Sequence, residues 1–154
     1  MRVSLKATYG IMAMIDLAIH NDNHNGTVPI QSKAIARRQA IPVRFLEQVL
    51  HAMKQAGLVE SVRGAQGGYV LAKMPLELSL AEIVEALDGP LTTPKQARAS
   101  HRRVSGRTSF DSLINDIWAQ VRQAELNVLS AVTLKDLVDR HRQLEQERAL
   151  MYHI

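Results

Sequence analysis

Apolar positions between Ser4 and His20 recur at helical spacing, with Ala7, Ile11, Met14, Ile15 and Ala18 on one face. Turn-forming residues from Asn21 to Thr27 end that pattern. Val28-Pro29-Ile30 follows as a short extended piece, because proline restricts the residue before it. Ser32 is positioned to cap a short helix over KAIARRQ. A break at Ala40-Ile41 leads into a longer helix from Pro42 to Ala56, with proline in its first turn and Gly57 just past its end. Two short helices joined tightly outline a helix-turn-helix.

The longer helix has two faces. Leu46, Val49, Leu50 and Met53 form an apolar stripe, with Phe45 at its edge. Arg44, Gln48, His51 and Gln55 share the opposite face, with Glu47 beside them. Arginine can donate two hydrogen bonds to guanine, glutamine can pair with adenine, and glutamate can accept from cytosine, so this face suits base reading. An ordinary solvated helix face would carry similar residues.

After Gly57, Leu58 to Val62 alternates weakly and Tyr69 to Ala72 is a second strand-like run. Between them RGAQGG supplies Gly64, Gly67 and Gly68, enough for a tight hairpin turn. Helices followed by a hairpin describe a winged helix. The glycines do not match a nucleotide-binding loop: neither G-x-x-x-x-G-K-[ST] nor G-x-G-x-x-G is present, and they precede a strand rather than a helix. At the wing, Arg63 is expected to meet a phosphate or enter the minor groove, with Gln66 and Gly67 at the tip.

Beyond the hairpin, Leu80, Ile83, Val84 and Leu87 mark a short amphipathic helix ended by Gly89-Pro90. A loop with five basic residues between Lys95 and Arg107 and no acid comes next. From Phe110 a long stripe resumes: Leu113, Ile114, Ile117, Trp118, Val121, Val128, Leu129 and Val132. A helix this long outreaches a small domain, so its apolar face calls for a second copy of the chain as well as the chain's own domain. Thr133 then caps a helix from Leu134 to Arg142, with Asp136 in the first turn; the tail EQERALMYHI either frays or extends it.

Composition narrows the function. The 154 residues, 46% apolar and 22% charged, suit one domain or a small domain with an appendage. There is no cysteine, which excludes disulfides, thiolate zinc sites, cysteine nucleophiles and cysteine-held clusters. The apolar stretch near the start is short and broken by Asp16, so neither a membrane span nor a signal peptide is expected, and the protein reads as cytoplasmic. The net charge of +4 is uneven: residues 1–75 carry nine Lys/Arg against four Asp/Glu, and residues 76–154 carry ten against eleven. A basic first half fits a phosphate-contacting module. His20 and His24 straddle a predicted helix end and His101 stands in the basic loop, so no metal site is expected. No nucleophile elbow or H-E-x-x-H is present, which argues against an enzyme. A winged helix serving as a partner-controlled protein-interaction module is the competing reading, against which Arg44 and Arg63 favour DNA.

The segments ATYGIMAMIDLA, IARRQAIPVRFLEQVLHAMKQAGLVESVRG, GGYVLAK and AVTLKDLV, spread over most of residues 1–140, resemble the Rrf-two family of winged-helix transcription regulators. The resemblance implies a mainly α fold with a small β-hairpin: a winged helix-turn-helix domain (1–75), a short helix and basic sensor loop (76–109), and a dimerisation helix with a C-terminal helix (110–154). It implies a homodimer on a pseudo-palindromic double-stranded DNA operator, usually a repressor. Arg44, Phe45, Glu47 and Gln48 would then serve in recognition and Arg63 in the wing. Arg44 and Pro42 stand where some members have small hydroxyl residues, so a base preference does not transfer. Many members hold an iron–sulfur cluster through three cysteines in the span that is residues 89–112 here. That span offers Ala97, Ala99, Ser100, His101 and Ser112 but no thiol. No cofactor is expected, leaving a small molecule or partner protein as the signal.

Overall fold

The computed structural model describes residues 3–22, 28–91 and 109–153. Helix α1 (Leu5–Asp22) runs through the centre of the fold and packs against most of the other described helices and against the hairpin. Its central position explains why it is buried on more than one stripe: Ala13 and Leu17 join Ala7, Met14 and Ala18 in the core, while Ile11 and Ile15 pack at the edge. The Ser4 hydroxyl starts the helix by accepting the Ala7 N–H at 2.9 Å.

Helix α2 (Ser32–Gln39) starts one residue earlier than its pattern suggests, so Gln31, and not Ser32, occupies the N-cap, without a side-chain cap bond. The break that follows is made by Ala40, at φ 53° and ψ 42°. Its left-handed backbone turns the chain sharply, and Ile41 drops into the core directly after it. Pro42 is the N-cap and not the first helical residue: its ψ of 126° is extended, and α3 spans Val43–Gln55. The opposite end is closed as expected. Gly57 (φ 75°) donates to the Lys54 carbonyl at 3.0 Å and Leu58 donates to the Met53 carbonyl at 2.9 Å, the paired bonds of a Schellman cap.

That cap delivers the chain straight into β1 (Val59–Val62), which pairs antiparallel with β2 (Gly68–Leu71), Val59 opposite Leu71 and Val62 opposite Gly68. The hairpin gains a third partner that periodicity does not announce. Ile30 and Tyr69 exchange backbone bonds of 2.9 and 2.8 Å, tying the segment before α2 to the wing. This explains Gly68: a Cβ there would collide with the Ile30 carbonyl, and φ is 155°.

A 3₁₀ turn (Pro75–Glu77) leads to α4 (Leu80–Asp88), which buries Ala81, Ile83, Val84 and Leu87, with Leu80 only half-buried. Helix α5 (Ser109–Ala131) and helix α6 (Leu134–Met151) complete the chain, the C-terminal tail continuing α6 rather than fraying. Both α4 and α6 open with a reciprocal capping box, Ser79 with Glu82 and Thr133 with Asp136. The two caps lie side by side: Leu80 N–H donates to the Val132 carbonyl and Leu134 N–H to the Leu78 carbonyl, both at 2.8 Å. This clasp returns the chain to the core, where Leu134 and Val138 pack into the same cluster as α1.

Candidate nucleic-acid interface

Helix α3 is fixed by its buried face. Leu46, Val49, Leu50 and Met53 are all fully buried. Phe45, half-buried, meets Tyr9 of α1 edge to face, with ring centroids 5.4 Å apart. Its ring therefore anchors the start of α3 to α1. With that face spent on the core, Arg44, Glu47, Gln48, His51 and Gln55 are exposed together on the other.

The hairpin presents a second polar surface. Arg63, Gly64, Ala65 and Gln66 are exposed at its turn. Gly67 is buried, donates to the Gly64 carbonyl at 3.0 Å, and has no room for a Cβ beside the Val62 carbonyl. Its contribution is to shape the tip that displays Arg63 and Gln66, not to offer surface of its own. No described residue forms an ion pair with Arg44 or Arg63. Lys33 and Arg37, exposed on α2, extend the basic surface beyond the residues that pattern reading singles out.

What holds α2 in place is a network absent from the sequence reading. Asp16 is buried in α1, and Arg38 grips it with two bonds, Nε to Oδ2 at 2.9 Å and Nη2 to Oδ1 at 2.6 Å. Gln39 donates a third at 2.8 Å. The Asp16 hydrogen bonds raise the Arg38 pKa further above its ordinary value, so the guanidinium stays charged. The only sequence signal was an acid inside an apolar helix. Arg38 is thereby committed to the fold, unlike its neighbour Arg37.

Helix α5 contrasts with all of this. None of its residues is buried, and its apolar stripe is open to solvent, from 41% exposed at Val121 to 71% at Phe110. Leu113, Ile114, Ile117, Trp118 and Val128 fall between those values. Packing against α4 only half-buries Leu126 and Leu129.

The pattern of the Rrf2 family, described as iron-dependent transcriptional regulator, matches residues 3–140. The chain belongs to the Rrf2 family. Among Rrf2 relatives, it is 32% identical to the HTH-type transcriptional regulator CymR of Bacillus subtilis (strain 168), over 99% of both chains. It is 32% identical to IscR of Photorhabdus laumondii, over 94% of this chain and 84% of that one. The structure of the B. subtilis protein, described as the global cysteine regulator, matches with a TM-score of 0.73 at 31% identity, covering 91% of this chain and 98% of that one. T. potens IscR matches with a TM-score of 0.71 at 34% identity, covering 92% and 88%. This Rrf2 chain is a DNA-binding transcription regulator of winged-helix fold, in a family of regulators rather than enzymes.

The family's iron-dependent label finds no thiol here. With no cysteine in 154 residues, a cysteine-held cluster does not fit this chain. Among the described residues no three His, Asp or Glu side chains converge as metal ligands. His24, His101 and the basic stretch from Lys95 to Arg107 lie outside the described residues. No described helix is long and apolar enough to cross a membrane.

Proposed function

We propose that two copies of this chain, paired through α5, bind a pseudo-palindromic operator and repress transcription in the cytoplasm. Each copy inserts α3 in a major groove and rests its wing on the adjacent backbone. The carrying observation is the division of α3: four fully buried residues on one side, and Arg44, Glu47, Gln48 and His51 exposed on the other beside a hairpin showing Arg63 and Gln66. Residues 1–75 do the reading, and residues 110–154 hold the pair together. A helix the length of α5 spans about 35 Å at 1.5 Å per residue, close to the roughly 34–36 Å that separates successive half-sites on B-DNA. Each apolar side chain of its stripe gains about 1.5–3 kcal/mol on full burial, which supports pairing. With no cluster-holding thiol, the signal is a small molecule or a partner protein.

The test is fluorescence anisotropy with DNA fragments selected by the protein. Gln48→Ala costs about 1–3 kcal/mol on the selected site and relaxes its base preference. Arg63→Ala weakens all fragments evenly and reduces the salt slope by about one. Unchanged affinity and slope in both variants would remove α3 and the wing from the interface.

A further inference from the structure

A cavity of about 650 Å³ lies away from α3, between the end of α1, the foot of the wing, the 3₁₀ turn and the start of α6. That size falls among cavities that hold small molecules. Its floor is apolar, with Leu71 and Ala72 from the wing and Val138 from α6. Three cations, Lys73, Lys135 and Arg142, surround that floor. The same rim carries two acids, Glu77 and Asp139, so cations exceed acids by one, and an apolar floor under it favours an apolar body ending in an anion.

The acids at the site do not reverse this balance. Glu77 accepts the Met74 backbone N–H at 3.0 Å, which directs its carboxylate toward the start of the 3₁₀ turn while it keeps its charge. Asp139 pairs with Lys135 at 2.6 Å and Glu82 with Lys73 at 3.0 Å. Both pairs are about half-exposed, and such pairs contribute little, so either lysine can turn to an incoming anion at small cost.

We propose that this cavity binds a small amphipathic carboxylate, its apolar part on Leu71, Ala72 and Val138 and its carboxylate among Lys73, Lys135 and Arg142. The ligand would touch the wing on one side and α6 on the other. Leu71 ends the strand whose Tyr69 pairs with Ile30 ahead of α2, so occupation bears directly on the wing's seating. This regulatory consequence rests on the DNA-binding function proposed above; ligand binding itself does not.

Octanoate is the probe, with 1-octanol as its uncharged counterpart, titrated into the DNA-free full chain and followed by amide chemical shifts. Octanoate should bind at least tenfold tighter than octanol, and the shifts should centre on Leu71, Ala72 and Val138. Lys135→Gln with Arg142→Gln, both at exposed positions of α6, should bring the two ligands to equal affinity. Equal affinities in the unaltered protein, no binding, or shifts confined to α5 would overturn the proposal. Shift mapping on the unaltered chain decides the location even if the double variant folds poorly. DNA binding is measured separately. Loss of the DNA reading would leave an octanoate site standing, and absence of the octanoate site would leave the DNA reading intact.

Discussion

Helices α3 and α5 carry apolar stripes of similar clarity, and the folded chain treats them in opposite ways. Leu46, Val49, Leu50 and Met53 of α3 are fully buried, whereas α5 buries nothing and leaves Phe110 and Val128 more than 60% exposed. Periodicity reports that a face avoids water, not what covers it. The core of one chain covers α3, so its polar face is left in solvent. In α5 the apolar face itself is left over, and an isologous second copy is the simplest cover.

The largest effects should separate these two stripes. Leu50→Ala opens a cavity in the core and costs about 2–5 kcal/mol in urea unfolding. Ile117→Asp should leave the winged fold intact by circular dichroism while shifting sedimentation from dimer to monomer, with a red shift of the Trp118 emission. A dimer persisting in Ile117→Asp would break the contrast.

A smaller effect concerns how α3 is aimed. Asp16→Asn removes the charge that Arg38 grips. Breaking a buried pair costs about 3–5 kcal/mol, but the Arg38 side chain is 35% exposed, so about 2 kcal/mol is expected here. DNA affinity should fall further than stability alone explains, because α2 loses its tie to α1. Matching losses in both would make the network purely structural.

The smallest effect belongs to the clasp between α4 and α6. The Ser79 backbone N–H bond draws the Glu82 pKa below its ordinary value, and the Thr133 N–H does the same for Asp136. A depressed folded-state pKa gives stability that is full above the unfolded value, about pH 4, and is lost as pH falls through the lower folded values. Ser79→Ala should cost about 1 kcal/mol at neutral pH, whereas Glu82→Gln, which removes the titrating carboxylate, should flatten this acid limb. An unchanged acid limb in urea titrations would deny the capping boxes that role.

The sequence showed most clearly what depends on neighbours along the chain. The α3 stripe, the Gly57 cap and the Thr133 cap rest on spacings of a few residues, and all three stand in the fold. Boundaries slipped by one residue at Ser32 and Pro42, because cap and first-turn preferences overlap in residue type. The rest arises from contacts across long separations. Arg38 reaches Asp16 across 22 residues, Ile30 pairs with Tyr69, and Ser79 lies beside Thr133. None of these leaves a periodic trace. Gly68 was legible as a turn glycine, yet its reason is the passing Ile30 carbonyl. The exposed surface of α3 could be listed from sequence, but its tie to α1 through Phe45 and Tyr9 could not.

The most direct test of regulation through α3 and the wing is the salt dependence of binding to genomic fragments, with the preferred fragment compared against bulk DNA. A dimer making six to ten phosphate contacts should lose about 10³–10⁵ in affinity between 50 and 200 mM salt. The preferred fragment should contain two related half-sites about one helical turn apart. A flat salt dependence with no preferred fragment would contradict DNA recognition by this face.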